Sequence, residues 1–270
     1  MAISIKLPLS IHEKGAKSNN EDNIFPAQDS ATVEDRLFIV CDGVGGSAYG
    51  EIASRITIEQ ISSYFKEEEP DTKALSDFVQ IALQSAEKAL SEFKEKHPES
   101  REMATTLSLL YLFEDSALII WVGDSKIYYF RDGKCLFESK NHSLVQELLD
   151  QGHISSEEAA SHPQRNLIFR AIKGQEEATQ ADYKYIENLK PNDTFFLCSD
   201  GINENWSSED LESLFEKEAD IFSLKEKILE KSFDNTQDNF SAYFVKLDKK
   251  KEFYPIEKKS KNFWERIFTK

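Results

Sequence analysis

Three apolar runs in this chain end on an aspartate beside glycine or serine: LFIVCDGVGG at 37–46, IIWVGDSK at 119–126 and FFLCSDGI at 195–202. A fourth, DNFSAYFV at 238–245, carries its aspartate at the start instead of the end. One Asp-Gly pair is an ordinary turn, because aspartate accepts local hydrogen bonds and glycine tolerates tight backbone geometry. Recurrence at strand tips is a stronger constraint. If these strands share one sheet system, their ends converge, and Asp42, Asp124, Asp200 and Asp238 face one another. Asp22, in NNEDN, joins them before another extended stretch.

Like charges a few ångströms apart cannot all stay ionised. Hard divalent cations resolve the conflict. Every candidate ligand is an oxygen and no histidine stands among them, which favours Mg²⁺ or Mn²⁺ over Zn²⁺ or Cu²⁺. Gly43 then lets the backbone bend so that its own carbonyl reaches a metal, and Gly45 and Gly46 leave room for a substrate. Two such ions about 3.5–4 Å apart can share a water, lower its pKa and aim it at phosphorus. No GxSxG elbow and no phosphate-cradling cysteine loop is present, and GVGG lacks the Gly-Lys-Ser/Thr of a P-loop.

The whole chain fits this chemistry. Its 270 residues, 40% hydrophobic and 11% aromatic, suit a folded globular protein. A formal charge of −16 argues against nucleic acid as a partner. Cys41, Cys135 and Cys198 are far apart and form no CxxC pair, so disulfides and zinc are not expected, and a reducing cytoplasm is. The N-terminus lacks the pattern of a signal peptide, and no stretch approaches the roughly 20 apolar residues of a membrane span.

Along the chain, 35–41 reads as a strand and 48–66 as a helix. A second helix is expected at 72–95, where Leu75, Phe78, Val79, Ala82, Ala86, Leu90 and Phe93 recur at helical spacing. TLSLLYLF, SALIIWV and KIYYFRDGK read as a meander of antiparallel strands, apolar on both faces and so covered on both sides. A polar helical insert follows at about 143–175, with Ser155 and Glu158 forming a capping box and His162-Pro163 ending its helix. Strands return at 182–187, 194–199 and 240–247, with helices near 207–216 and 221–233. The expectation is one domain, 1–248, in which helices cover stacked antiparallel sheets. From Lys249 onward the charge reverses: 8 Lys/Arg against 3 Asp/Glu, where the rest carries 25 against 46. If helical, this tail places Phe263, Trp264, Ile267 and Phe268 on one face, suited to docking on its own acidic domain, on a partner or on a membrane surface.

The ordered set Lys17-Ser18-Asn19-Asn20-Glu21-Asp22, Asp42-Gly43-Val44-Gly45-Gly46, Met103-Ala104-Thr105-Thr106, Val122-Gly123-Asp124-Ser125, Cys198-Ser199-Asp200-Gly201 and Asp238-Asn239 resembles the metal-dependent serine/threonine protein phosphatases of the PPM, or type 2C, family. It covers residues 10 to 247, and the 141–172 segment resembles the flap of bacterial members. The resemblance implies an α+β fold, a four-layer αββα sandwich with two central antiparallel sheets flanked by helices. It implies two Mn²⁺ or Mg²⁺ ions, with Asp42 bridging them and Gly43 lending its carbonyl. Asp200 and Asp238 would bind one metal, Glu21 and Asp22 would hold coordinated waters, and Asp124 with Asp200 would match a third, weaker position. Asp234-Asn235 rivals Asp238-Asn239, but only the latter leads directly into a strand.

The implied activity is hydrolysis of phosphoserine and phosphothreonine in proteins, the substrates of a serine/threonine kinase, without a covalent intermediate. The rival is a catalytically silent phosphoprotein-binding or scaffold relative, which would not need so costly a set of charges. Three departures stand out. Lys17 replaces the arginine that grips substrate phosphate, keeping the charge and losing the bidentate fork. Val44 stands where many eukaryotic members have histidine. Ala104 and Lys126 replace the usual glycine and arginine. The histidines at 142, 153 and 162 read as turn or surface residues.

Overall fold

The computed structural model describes residues 4–44, 49–155, 158–159, 162–164, 167–218 and 220–249. Gly45, Gly46 and the tail beyond Lys249, with the docking expected of it, lie outside the described residues. Thirteen strands are described in chain order: β1 Ser4–Ile5, β2 Leu9–Glu13, β3 Asn23–Phe25, β4 Leu37–Cys41, β5 Gly43–Val44, β6 Ala104–Thr105, β7 Leu107–Leu112, β8 Ala117–Val122, β9 Lys126–Arg131, β10 Lys134–Glu138, β11 Asp182–Ile186, β12 Thr194–Cys198 and β13 Phe240–Asp248. The helices are α1 Gly50–Glu67, α2 Leu75–Lys96, α3 Leu144–Asp150, α4 Asp200–Asn203, α5 Ser208–Lys217 and α6 Ile221–Asn235.

Eleven of the strands form two antiparallel sheets, ordered β11-β8-β7-β4-β3 and β1-β13-β12-β9-β10, with β2 also paired to β13, while β5 and β6 pair separately. Period-2 alternation explains their stacking. In β4, Leu37, Ile39 and Cys41 face helices α1 and α2, while Phe38 and Val40 face the other sheet. In β12, Phe195 and Leu197 face inward, while Phe196 and Cys198 pack under α4 to α6. All nine of these side chains are buried, so both strands are apolar on both faces. Three core layers separate four structural layers, the expected helix–sheet–sheet–helix sandwich.

One expectation is corrected. TLSLLYLF and SALIIWV do pair, Leu107 opposite Val122. KIYYFRDGK does not continue that meander; β9 pairs with β10 and β12 in the opposite sheet. The chain crosses between sheets at Gly123-Asp124-Ser125, where Gly123 has φ +99°. A Cβ there would lie 2.6 Å from the Thr106 methyl, so the crossing is available only to glycine. β1, β2 and β3 are short additions for which the sequence reading had no signal.

The insert after β10 contains α3, whose Ser143 cap accepts from the Gln146 N–H at 3.2 Å. The expected capping box is present: Ser155 N–H donates to Glu158 Oε2 at 2.8 Å, and Glu158 N–H to Ser155 Oγ at 3.2 Å. Its returning limb is tied to α2 by Glu87, which is fully buried. That carboxylate accepts from the N–H groups of Lys173, Gly174, Gln175 and Thr179 and from the Thr179 hydroxyl. No helix among the described residues is long and apolar enough to cross a membrane.

Replacing Glu87 with leucine leaves four backbone donors without their acceptor, that of Thr179 buried and the other three part-buried. The expected loss is on the order of 3 kcal/mol in chemical denaturation, with glutamine losing less because one acceptor survives.

Candidate metal centre

Strand register brings the acidic residues to one end of the sandwich. Asn23 pairs with Cys41, so Asp22 and Asp42 leave adjacent strands side by side. Cys198 pairs with Ala242 on β13 and Lys126 on β9, which sets Asp200 beside both Asp238 and the Asp124 turn. Glu21 lies in the loop before β3. Sequence positions over two hundred residues apart thus share one pocket.

A second ring of uncharged groups holds this arrangement. Asp42 N–H donates to Thr106 Oγ1 at 3.0 Å, while Thr106 N–H and Thr105 Oγ1 both donate to Asp42 O at 2.8 Å. Thr106 Oγ1 also shares a 2.7 Å hydrogen bond with Ser125 Oγ, linking the Asp42 tip to the Asp124 turn. Asn239 Nδ2 donates to Lys14 O and Asn19 O, and its Oδ1 accepts from Glu21 N–H, all at 2.8 Å. It thereby fixes the loop that carries Lys17, Glu21 and Asp22. Ser199 Oγ donates to Asp22 Oδ2 at 2.7 Å. These supporting roles were not legible in the sequence beyond membership of the motifs.

The electrostatics are those of a site short of positive charge. The Asp42 and Asp200 carboxyls lie close enough to shift each other's titration. Burial, then the charges of Asp22, Asp200 and Asp124, hold Asp42 well above the usual carboxylate range. Burial pushes Asp22 up to about 7, with Asp200 and Asp238 adding to it and the Ser199 hydroxyl opposing. Asp124 rises to about 7 through burial and Asp200, and Asp200 to about 6 through burial and Asp238. Burial and Glu51 raise Glu21. One cation is on hand: Lys17 Nζ lies 3.0 Å from Asp238 Oδ1. That hydrogen bond raises the Lys17 pKa, so the ammonium stays charged.

Do these residues fit a pair of hard cations? Asp22 Oδ1 is buried with no hydrogen-bond partner, an acceptor oxygen left over. Gly50 leaves space that a Cβ would fill, 2.9 Å from Glu21 Cδ and 3.0 Å from Gly43 O. Gly43 itself tolerates no side chain, since a Cβ would meet Gly50 backbone at 2.4 Å. Among the described residues no three His, Cys, Asp or Glu side chains are grouped to hold an ion unaided. Mg²⁺ usually takes only one or two carboxylates and keeps several waters, so paired carboxylates with water and a backbone carbonyl fit it. The donor set suits such ions.

The rival pair separates cleanly. Asp234 is exposed on α6, and its neighbour Asn235 is occupied with Lys231 O. Asp238 is half-buried beside Lys17, Asp22 and Asp200. Of the histidines, His142 is not a surface residue: it is 4% exposed at the root of the flap. The expected outcome is that Asp238→Asn lowers metal-dependent turnover by roughly 10²-fold or more, about 2.7 kcal/mol. Asp234→Asn should leave it unchanged in the same assay.

Comparison with known proteins supplies the context for this pocket. A family profile described as Protein phosphatase 2C matches residues 13–239. A putative protein phosphatase 2C-type of Streptococcus pyogenes is 32% identical over 210 residues, covering 77% of this chain and 82% of the relative. The serine/threonine protein phosphatase PstP of Mycobacterium tuberculosis is 34% identical over 194 residues, or 72% of this chain and 35% of PstP, so the match spans about a third of that relative. The crystal structure of the M. tuberculosis phosphatase PstP/Ppp superposes with a TM-score of 0.77 at 29% identity, covering 91% of this chain and all of that one. Staphylococcus aureus serine/threonine phosphatase Stp1 gives 0.79 at 25% identity, covering 92% and 98%. A PstP catalytic domain, 26% identical with a TM-score of 0.75 over 92% of this chain, is solved in complex with two manganese ions. The acidic strand tips, the sandwich that gathers them and a match over most of the chain agree: this protein belongs to the protein phosphatase 2C family.

Proposed function

We propose that this protein removes phosphate from phosphoserine and phosphothreonine in proteins, using Mn²⁺ or Mg²⁺ held by Asp42, Asp200, Asp238 and the Gly43 carbonyl. The observation that carries the reading is the strand register that gathers Asp42 and Asp200 with Asp22, Asp124 and Asp238 at one end of the sandwich, in a chain of this family. Glu21 and Asp22 would hold waters on the acidic side, and Asp124 with Asp200 would serve a third, weaker position. When bound, the ions would supply a water acidic enough to attack phosphorus and positive charge for the phosphoryl oxygens.

The remaining work falls to the chain. Lys17 is half-exposed, and its ion pair with Asp238 is of the exposed kind that is worth little. Its ammonium can therefore leave Asp238 for a phosphate oxygen and stabilise the charge of a loose transition state. A cysteine nucleophile is disfavoured, because burial raises the thiols of Cys41 and Cys198 and pushes Cys135 up to about 11. Direct attack by water fits that chemistry. A cleft of about 650 Å³ leads away from Asp124 and Asp200 between α3 and α5, with Gln146, Leu149 and Ser208 among its walls, and gives room for a protein segment. Free cysteines support a cytoplasmic setting, and the natural partners would be phosphoproteins made by a serine/threonine kinase.

Hydrolysis of p-nitrophenyl phosphate and a phosphothreonine peptide, with Mn²⁺ and then with EDTA, tests the reading. Turnover should vanish with chelator and with Asp42→Ala. Activity surviving both would remove the two-metal account, and its absence throughout would favour a binding module.

The acidic cluster also makes a pH prediction. Unfolded, the aspartates titrate near 3.8, whereas in the folded metal-free protein Asp22 and Asp124 reach about 7 and Asp200 about 6. Between those limits the folded state holds more protons, so its stability falls as pH rises through the window. Cations bind the deprotonated carboxylates and cancel that penalty. The rise in melting temperature on adding Mn²⁺ should be larger at about pH 8 than at about pH 5.5.

A further inference from the structure

His142 stands where both limbs of the flap meet the Asp124 turn. Its backbone N–H donates to Gly123 O at 2.8 Å, and the Gly123 N–H donates back to the imidazole Nδ1 at 3.1 Å. The peptide groups on both sides of Gly123 are thereby held by one residue, immediately before Asp124. Phe169 N–H, on the returning limb, donates to His142 O at 3.0 Å. Trp121 and Phe169 flank the ring, each with its centroid 6.4 Å away.

The hydrogen bonds fix the tautomer. Nδ1 accepts from Gly123, so the proton of the neutral ring sits on Nε2. Nε2 lies 3.4 Å from both Asp182 Oδ2 and Arg170 Nη1, and Asp182 Oδ1 is paired with Arg170 Nη1 at 3.1 Å. Burial, then the Arg170 charge, hold the histidine below its ordinary pKa, which keeps Nδ1 an acceptor. The returning limb also reaches the other side of the pocket. Ile172 and Thr105 exchange N–H···O bonds of 2.9 Å, and Thr105 supports Asp42.

A buried histidine between aromatic rings is most often a packing residue. What separates this one is the division of its two nitrogens: one serves the Gly123-Asp124 turn, the other the Arg170–Asp182 pair that braces the flap. We propose that His142 is a positioning residue, setting the Gly123-Asp124 peptide and coupling it to the flap. It touches neither substrate nor metal. Its effect on turnover rests on the phosphatase reading above, while its coupling of flap to turn does not.

Three variants divide the two nitrogens. His142→Asn keeps an acceptor near the Nδ1 position and gives up the contact to Asp182. His142→Gln reaches toward Asp182 and leaves the Gly123 N–H without a partner. Asp182→Asn, at a half-exposed position, weakens the flap side alone. Amide hydrogen exchange on the metal-free protein reads Gly123 and the flap roots at 140–143 and 169–172. Steady-state kinetics with Mn²⁺ read kcat and KM on p-nitrophenyl phosphate and a phosphothreonine peptide. His142→Gln should speed Gly123 exchange and lower kcat on both substrates, each by about tenfold, or 1.4 kcal/mol. His142→Asn and Asp182→Asn should keep kcat within about threefold, speed exchange at the flap roots and raise KM for the peptide more than for the small ester.

Equal damage from asparagine and glutamine would mean that the ring only packs, and would overturn the proposal. So would wild-type Gly123 exchange in a folded His142→Gln. If glutamine does not fold, unchanged flap exchange in Asp182→Asn overturns the coupling instead. Absence of metal-dependent turnover in the unmodified protein would defeat the phosphatase reading, and the exchange measurements would still decide the role of His142.

Discussion

Mutual repulsion among five aspartates at one end of a sandwich is the constraint on which this structure turns. Left to themselves, Asp22, Asp42, Asp124, Asp200 and Asp238 would separate or take up protons, and the raised pKa values of the first four record that tension. The fold prevents separation. Each aspartate is fastened to a strand tip whose register is set by a two-sided apolar core, and a one-residue slip would turn every core side chain to the wrong face. Hydrophobic burial over the whole sandwich therefore holds together charges that no local interaction would.

The uncharged ring around the aspartates does the finer positioning. Thr105, Thr106 and Ser125 join the Asp42 tip to the Asp124 turn, and Asn239 joins β13 to the Lys17–Asp22 loop. These groups bind backbone as much as side chain, so they control where the acidic residues stand without adding charge. Lys126 contributes too: its ammonium is occupied with Glu138 and Ser139 O, and its charge partly opposes the burial-driven rise of nearby Asp124.

Much of this was legible in the sequence because it rests on repeated local patterns. The runs at 37–41, 194–198 and 240–248 alternate between two apolar faces, and that announces a covered sheet wherever it occurs. The acidic tips were legible by recurrence, and Asp238 was preferred over Asp234 because only the former abuts a strand. The crossing at Gly123 was not legible. Three consecutive strand-like runs read as a meander, and whether a three-residue link turns back or changes sheets depends on pairing partners far away in sequence. His142 was hidden for a similar reason: its burial comes from Trp121 and Phe169, which only the tertiary fold brings to it. Glu87 looked like one more polar residue on an amphipathic helix, since its five donors lie more than eighty residues downstream.

The change of sheet at Gly123-Asp124-Ser125 has one more consequence. Asp22 and Asp42 belong to one sheet, Asp200 and Asp238 to the other, and Asp124 to the link between them. An ion held by Asp42 and Asp200 together would be a cross-brace, riveting two slabs already joined by apolar packing and by the Ser199–Asp22 hydrogen bond. The mouth of the sandwich would then be a gauge of divalent salt, tightening as the slabs are pinned and relaxing when the rivets are withdrawn.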